Sequence, residues 1–356
     1  MSKKDTATYI SRVHLKGYKS IRDLAIDLLP GLNIIIGPNG SGKTNFLTFL
    51  HDKFDGIDES NSTAEIDYID YEMTIRLSYQ SKKSVFDDIS IEELEAHSSK
   101  QFGESIRRPF FFKYGIPKKI FGIDELGFIS LDAHTKQSVI KFSTEYLEKD
   151  VVNIFVDKLL KGARISTKTI ESAFQTNKKL VDNLRNYTPI QDFRLKQGFP
   201  ITYKPNGINL DYLIFEFFVN GQWLSWAYLS DGTKRLFHLV ANISISQKPI
   251  FLIEEPELGI HPDQLYKLMR FLALESVSKQ IILTTHSPDV LHLIEADQLD
   301  RIIITRFDAE KGTLMHKLSK KQQQKAQNYM NTEGLWLSDF WVHSNLEELV
   351  DETEED

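Results

Sequence analysis

The sequence predicts an α/β fold with an N-terminal antiparallel β portion and an inserted, mainly helical lobe. The apolar stretch Leu32–Ile36 is typical of a strand buried on both faces, and it runs into a glycine-rich loop and a helical pattern that begins at Lys43. A second stretch of strand and helix patterns begins at Ser230. Between residues 81 and 197 the pattern becomes charged, irregular and mostly helical, which marks the insertion.

The N-terminal elements surround this buried strand. Residues Tyr9–Leu15 and Leu24–Leu28 have strand patterns on either side of a turn at Gly17–Ser20. A helix is predicted over Lys43–Phe54, and a strand of alternating polarity over Asp70–Tyr79.

The remaining elements lie in the lobe and after it. Within the lobe, helices are predicted over Lys136–Glu148, Val151–Lys161 and Thr167–Asn186. Strand-like sequence returns from Gly198 to Trp226, with turn signals at Pro205–Gly207 and Asn220–Gly221. Beyond Ser230 the predicted elements are a strand over Pro249–Ile253, a helix over Pro262–Ser276, and strands over Gln280–Thr284 and Arg301–Thr305.

This pattern divides the chain into three parts. Residues 1–80 and 198–310 are expected to form one α/β domain, residues 81–197 the inserted basic lobe, and residues 311–356 a C-terminal segment. The segment ends in an acidic tail and contains an aromatic cluster, Gly334–Trp341. These aromatic residues either dock a partner or close the core of the chain itself.

Composition limits the class of protein. The 356 residues are 41% apolar and include no cysteine, which excludes a disulfide scaffold and thiolate chemistry. No apolar run is long enough for a membrane-spanning helix, and the first residues do not have the pattern of a secretory signal. We therefore expect a cytoplasmic protein without membrane partners.

Charge is unevenly distributed along the chain. The net charge is −7, yet residues 100–200 contain 18 basic and 11 acidic residues. A basic lobe on an acidic body is typical of an insertion that faces nucleic acid, and a solvated helical lobe with ordinary lysines explains the pattern equally well. The candidate residues for a nucleic-acid or partner surface are Arg107, Arg108, Lys113, Lys118 and Lys119.

The glycine-rich loop is the most specific motif, a complete G-x-x-x-x-G-K-[ST] sequence between a strand and a helix. Its glycines let backbone N–H groups turn toward phosphates, and the helix N-terminus adds partial positive charge. We expect Lys43 to reach the β- and γ-phosphates of ATP and the Thr44 hydroxyl to bind Mg²⁺. The residues of this predicted ATP site are Gly37, Pro38, Asn39, Gly40, Ser41, Gly42, Lys43, Thr44 and Asn45.

Two adjacent carboxylates follow the strand Pro249–Ile253. Glu254 and Glu255 are expected at the carboxyl edge of a parallel sheet, where ligands bind. Glu254 would hold the Mg²⁺ shell through water, and Glu255 would orient or deprotonate an attacking water molecule. Taken alone, the pair is also compatible with a helix N-terminal cap.

The segment Leu229–Arg235 lies about 20 residues before the acidic pair. Ser230, Asp231 and Gly232 at a helix start form a second cradle for anions. Because the chain already has one phosphate loop, this cradle is best explained if it contacts the γ-phosphate held by another subunit. The same three residues are also common in ordinary turns and helix caps.

The strand Gln280–Thr284 runs into a polar segment that contains His286. We expect His286 to sense or contact the γ-phosphate, because it follows the other motifs at the same sheet edge. A lone histidine is more often a structural hydrogen-bonding group.

The order of these four motifs resembles that of the ATP-binding heads of the ABC superfamily, in the RecF/SMC-like branch. The start Val13–Ile21 resembles the first strand and turn of that branch. The segment Glu254–Pro262 resembles the acidic motif and following loop of the overcoming-lysogenization-defect (OLD) ATPases and of related AAA ATPases of phage defence. The likeness covers roughly residues 8–80 and 198–310.

This resemblance implies a P-loop, ABC-type ATPase head that hydrolyses ATP with Mg²⁺. It implies a head-to-tail dimer, or a larger oligomer, in which Lys43 of one subunit faces Ser230 and Gly232 of the other. Gln80 would correspond to the glutamine that joins the metal site to the inserted lobe. Relatives with nuclease activity carry a further C-terminal domain with an Asp-x-Asp pair, and no such pair follows His286, so we expect no nuclease domain here.

Three functions are consistent with these features. The first is an ATP-driven switch in DNA maintenance or anti-phage defence that controls a separate effector, a nuclease or toxin. The second is an ATP-gated scaffold with little turnover that sequesters an effector. The third is the ATP-binding subunit of a transporter, which the RecF/SMC-like start and the long basic lobe disfavour.

Overall fold

A computed structural model of the chain describes residues 8–55, 62–70, 73–79, 110–112, 128–132, 178–195, 201–204, 207–245 and 248–344. These residues belong to two compact units. The first unit comprises residues 1–114, 248–258 and 272–356, and the second comprises residues 115–247 and 259–271. The division into an ATPase domain, a lobe and a C-terminal segment stays a prediction.

Several predicted features lie outside the described residues. They are Gln80, the helices predicted over Lys136–Glu148 and Val151–Lys161, and the basic residues Arg107, Arg108, Lys113, Lys118 and Lys119.

The described residues form fifteen strands and six α-helices. The strands are β1 (Thr8–Tyr18), β2 (Ile21–Asp27), β3 (Leu32–Ile36), β4 (Thr63–Asp70), β5 (Met73–Tyr79), β6 (Phe110–Phe112), β7 (Phe128–Asp132), β8 (Ile190–Leu195), β9 (Ile201–Lys204), β10 (Gly207–Val219), β11 (Gln222–Ser225), β12 (Ile250–Glu254), β13 (Gln280–Thr285), β14 (Ile302–Asp308) and β15 (Gly312–Lys317). The α-helices are α1 (Lys43–Asp55), α2 (Lys178–Tyr187), α3 (Asp231–Ile245), α4 (Pro262–Glu275), α5 (Lys320–Glu333) and α6 (Leu337–Ser344).

The first unit is built on one mixed sheet. Its strand order is β5-β4-β1-β2-β15-β14-β3-β13-β12-β6. Strands β14, β3, β13, β12 and β6 run parallel to their neighbours in this group, whereas β15, β2, β1, β4 and β5 pair antiparallel. The predicted α/β class and its N-terminal antiparallel portion are therefore confirmed.

The parallel strands are buried on both faces. Every residue of β3, β12 and β13 is buried, as expected for central strands covered on each side. The one amide in β3, Asn33, is accommodated because its side chain exchanges hydrogen bonds with the backbone of Leu29, at 2.8 Å to the amide nitrogen and 2.7 Å to the carbonyl oxygen. These satisfied groups remove the cost of a polar side chain in the core.

Gln280, at the start of β13, joins two distant parts of the sheet. It is fully buried, and its Oε1 accepts a hydrogen bond from Ile10 N at 2.8 Å. Its Nε2 donates to Ile10 O at 2.8 Å and to Leu29 O at 3.0 Å. One side chain thus satisfies three backbone groups, including both of Ile10 in β1.

The second unit centres on the long strand β10. Strands β7, β8, β9 and β11 all pair antiparallel with it, and β10 and β11 are joined by the predicted turn at Asn220–Gly221, where both residues have positive φ. Phe217, Trp226 and Phe237 pack together, with ring centroids 5.2–5.6 Å apart. The described part of the region expected to be mainly helical therefore also contains strands β6, β7 and β8.

Outside the region expected to be mainly helical, the sequence pattern also missed the described strands β4 and β15. In β4 two of the outward positions, Glu65 and Asp67, are acidic, and Asp67 forms a bidentate contact with Arg76 of β5 at 2.6 and 2.9 Å. Strand β15 is short and mixed in polarity, and it is fixed by its pairing with β14. Each strand also pairs with one that is distant in sequence, β4 with β1 and β15 with β2, and a local pattern does not reveal such pairing.

The aromatic cluster near the C-terminus divides between core and surface. Leu337, Phe340 and Trp341 are buried, whereas Trp336 and Val342 are 49% and 61% exposed. The Trp336 ring stacks on the His292 ring with centroids 4.2 Å apart. The buried residues therefore agree with a role in the core of the chain, and the exposed ones leave a surface on which a partner could dock. Among the described helices, none is long and apolar enough to span a membrane.

We expect Gln280→Leu to destabilise the first unit by about 1–3 kcal/mol, because it leaves the buried N–H and C=O of Ile10 without partners. Urea unfolding measures this loss, with Gln324→Leu on the exposed face of α5 as the control. Equal unfolding midpoints for the two variants would contradict the role given to Gln280.

Candidate functional site

The predicted site residues of the first unit meet at one edge of its sheet. Strands β3, β13 and β12 are neighbours and run parallel, so their carboxyl ends lie side by side. The glycine-rich loop follows β3, the acidic pair ends β12, and His286 follows β13. Three segments that are far apart in sequence are brought together by strand order.

The glycine-rich loop is packed tightly against the sheet. A Cβ at Gly37 would lie 2.1 Å from the backbone oxygen of Thr305 in β14, and one at Gly42 would lie 2.0 Å from Thr313 Oγ1 in β15. Gly42 also has φ +102°, and Gly40 has φ +81° with nothing near its Cβ position. Glycine is therefore required at positions 37 and 42 because the loop backbone packs directly against β14 and β15, and glycine is favoured at position 40 because φ is positive there.

The amino group of Lys43 is held inside its own loop. Its Nζ donates to the backbone oxygens of Gly37 at 2.7 Å and Pro38 at 2.9 Å, and only 4% of the residue is exposed. The charge is thereby fixed at the base of a pocket. The residues that line this pocket are Asn39, Gly40, Gly42, Lys43, Thr44, Asn45 and Glu255.

Thr44 and Glu254 are in direct contact. The Thr44 hydroxyl, at the start of α1, donates a hydrogen bond to Glu254 Oε1 at the end of β12. Glu254 is only 5% exposed. Two oxygen groups suited to a hard cation thus lie together beside the loop.

Glu255 has an unusual backbone conformation. Its φ is +43°, in the left-handed region that non-glycine residues seldom occupy. The backbone is held there by a 2.8 Å hydrogen bond from Glu255 N to Thr284 O. The turn places the Glu255 side chain in the wall of the pocket formed by the glycine-rich loop. Such strained residues concentrate at functional sites.

His286 lies between two carboxylates. Its Nδ1 is 3.3 Å from Glu255 Oε1 and 3.5 Å from Glu257 Oε1. Its side chain remains 35% exposed, so the ring is accessible from solvent. The structure thus brings together Lys43, Thr44, Glu254, Glu255 and His286.

Glu257 is a residue that sequence reasoning did not assign. It accepts hydrogen bonds from Thr285 Oγ1 at 2.5 Å and from His286 N at 3.2 Å. The available signal was a third carboxylate two positions after the acidic pair, but its neighbours at the end of β13 were not evident from the local pattern.

The segment with Ser230, Asp231 and Gly232 lies in the second unit. Ser230 Oγ accepts a hydrogen bond from Thr233 N at 3.2 Å, as a helix N-cap does for α3. The Asp231 side chain is 85% exposed and lies 3.5 Å from Lys234 Nζ. A Cβ on Gly232 would lie 2.4 Å from Gly259 O, so this glycine also allows close packing within the unit.

A match to a known protein family covers most of the chain. The model of the family described as "AAA domain, putative AbiEii toxin, Type IV TA system" matches residues 32–292. This stretch contains the glycine-rich loop, the segment Leu229–Arg235, the acidic pair and His286.

Two further comparisons found a short sequence match and a similar fold. The DNA replication and repair protein RecF of Acidothermus cellulolyticus is 46% identical over 39 residues, a match that spans 11% of this chain and 10% of that protein. The Smc head domain of Pyrococcus furiosus, solved with an extended coiled coil and bound to the C-terminal domain of ScpA, has a TM-score of 0.52 at 12% identity. That likeness covers 91% of this chain and 100% of the solved chain, and it shows that the chain has the fold of that Smc head domain.

We expect Gly232→Ala to destabilise the protein by about 1–3 kcal/mol, because its Cβ would overlap a backbone oxygen that cannot rotate away. Alanine favours helix over glycine by about 1 kcal/mol, so a loss cannot come from helix propensity. Thermal unfolding measures the change, with Asp231→Ala, at an exposed position of the same helical turn, as the control. A melting temperature for Gly232→Ala at or above that of the wild type would contradict the packing.

Proposed function

The chain belongs to the AAA-domain family whose model it matches over residues 32–292, and from that membership we propose that it binds ATP with Mg²⁺ in the pocket of the glycine-rich loop and hydrolyses it. Family membership supports ATPase activity in general. The contribution of each residue is the more specific proposal.

The nucleotide pocket is supported by the chemistry of its lining. Lys43 supplies a buried cation, and the start of α1 supplies N–H groups with partial positive charge. Ser41 Oγ is buried and has no hydrogen-bond partner among the described residues, as expected of a group that serves a bound ligand. Gly40 leaves open space beside this loop. These features fit a chain of phosphates.

The Mg²⁺ site would be formed by Thr44 and Glu254. Magnesium is commonly bound by one or two protein oxygen groups, with phosphates and waters completing its shell. The contact between the Thr44 hydroxyl and Glu254 keeps two such groups together. Glutamate has a longer side chain than the aspartate more usual at this position, and burial against Thr44 fixes its reach.

The observation that carries the hydrolysis proposal is the strained conformation of Glu255. A φ of +43° at the end of a buried strand directs a carboxylate into the same pocket as Lys43. Bound ATP would supply the γ-phosphate, with Mg²⁺ neutralising charge on its oxygens. Glu255 would accept a proton from the attacking water, and His286, 3.3 Å from it, would orient that carboxylate and contact the γ-phosphate.

The segment Leu229–Arg235 would complete the ATP site from a second subunit. Ser230 and the first turn of α3 present N–H groups and a hydroxyl suited to phosphate oxygens. We therefore infer a head-to-tail dimer in which Ser230, Asp231 and Gly232 of one subunit face the ATP held by Lys43 of its partner. ATP binding would close the dimer, and hydrolysis would open it.

In the wider role, the chain would act as an ATP-driven switch in DNA maintenance or in defence against phage, and would control a separate nuclease or toxin. The short match to RecF supports a DNA-related role, and the family description, which names a putative toxin of a type IV system, supports a paired effector. The likeness of Glu254–Pro262 to OLD ATPases supports the same interpretation. A scaffold with little turnover remains the alternative.

We expect Glu255→Gln to lower the rate of ATP hydrolysis by about 100-fold or more while ATP still binds, because the base is lost and the phosphate loop is intact. With ATP and Mg²⁺ present, light scattering should show a dimer or larger assembly that outlives the wild-type complex. The matched control is Glu333→Gln, an exposed glutamate at the end of α5.

Normal hydrolysis by Glu255→Gln would refute the role given to this carboxylate. A mass that ATP leaves unchanged in both wild type and variant would refute the dimer. Binding of ATP without measurable turnover by the wild type would favour the scaffold alternative.

A further inference from the structure

Glu257 is a buried carboxylate with a specific set of partners. Its side chain is only 8% exposed, although it follows the acidic pair by two residues in the turn after β12. Its Oε1 accepts hydrogen bonds from Thr285 Oγ1 and from His286 N, and both donors lie at the end of β13. One oxygen atom therefore ties the turn after β12 to the segment that carries His286.

The burial of the second oxygen of the Glu257 carboxylate lowers the stability of the folded protein. Glu257 Oε2 is buried and has no hydrogen-bond partner among the described residues. A buried carboxylate oxygen that loses its hydration without a partner is destabilising. A glutamate used only to cap a turn would gain more by pointing its carboxylate to solvent, so the position of this group has to be explained by what Oε1 does.

The polar side chain of Thr285 strengthens the same connection. Thr285 is fully buried, and its Oγ1 accepts a 2.9 Å hydrogen bond from Ser287 N while donating to Glu257. The backbone on both sides of His286 is thus held, on one side through Glu257 directly and on the other through Thr285. Rotation of this segment would break all three hydrogen bonds.

His286 is the residue on which these contacts converge. Its Nδ1 lies 3.5 Å from Glu257 Oε1 and 3.3 Å from Glu255 Oε1, so the imidazole is placed between the buried carboxylate and the strained one. We propose that Glu257 is a positioning residue that fixes the backbone and ring of His286 against Glu255. This inference rests on the proposed ATP hydrolysis, and it assigns Glu257 an effect on turnover that acts through His286.

A double-mutant cycle tests this dependence. Glu257→Ala, His286→Ala and the double variant are compared for the kcat of ATP hydrolysis and for the Kd of ATP. If Glu257 acts through His286, Glu257→Ala lowers kcat by about tenfold or more in the wild type but by less than about twofold in the His286→Ala background. The Kd of ATP should change by less than about twofold, because the phosphate loop is untouched.

Two conservative variants keep the test valid if Glu257→Ala folds poorly. Glu257→Gln retains an acceptor oxygen for Thr285 and His286 N, and should keep more turnover than Glu257→Ala. Thr285→Val removes the donor to Glu257 and the acceptor for Ser287 N with little change in shape, and should lower kcat without changing the Kd of ATP. Asp289→Asn, an exposed carboxylate on the same segment, is the control and should leave both constants unchanged.

The results distinguish failure of the positioning role of Glu257 from failure of the proposed ATP hydrolysis. Equal losses of kcat from Glu257→Ala in both backgrounds, or wild-type turnover by both Glu257→Ala and Thr285→Val, would overturn the positioning role while leaving ATP hydrolysis intact. Absence of ATP turnover in the wild type would overturn the proposed function, and this inference with it.

Discussion

The candidate site depends on one constraint, the parallel alignment of β3, β13 and β12. Because these strands are adjacent and point in the same direction, the loops that follow them are forced to meet at one edge of the sheet. The glycine-rich loop, His286 and the acidic pair come from segments more than 200 residues apart, from Gly37 to His286. Their proximity is a consequence of strand order, and the complete burial of the three strands fixes that order.

Several charged side chains lie at the carboxyl edge of the sheet, and other groups of the first unit stabilise each of them. Lys43 is held by two carbonyl oxygens of its own loop, Glu254 by the Thr44 hydroxyl, and Glu257 by donors at the end of β13. Buried charges remain tolerable only when they have such partners. The strain at Glu255 is held by the sheet through Glu255 N and Thr284 O. The site is therefore preorganised by its surroundings, which is the arrangement that electrostatic catalysis requires.

Sequence patterns predicted the features that depend on local order. The glycine-rich loop, the buried strand before it, the helix after it and the strands that carry the acidic pair and His286 all have strong local signals, and the structure has them within about two residues. The strand β15 lacked such a signal because its pairing partner decides its conformation. The positive φ of Glu255 could not be predicted from the sequence, because a non-glycine residue gives no local signal for a left-handed backbone conformation. The roles of Gln280 and Glu257 could not be predicted either, because they depend on contacts with Ile10 and Thr285 that no local sequence pattern reveals.

The measurement that tests the central claim most directly is the affinity of the protein for ATP, by titration calorimetry, in the wild type and in Lys43→Ala. We expect the wild type to bind ATP with Mg²⁺, and the variant to bind at least about tenfold more weakly, because the buried cation proposed to contact the phosphates is removed. Lys325→Ala, an exposed lysine of α5, should bind as the wild type does. No binding by the wild type, or equal affinity in Lys43→Ala, would contradict the assignment of this sheet edge as a nucleotide site.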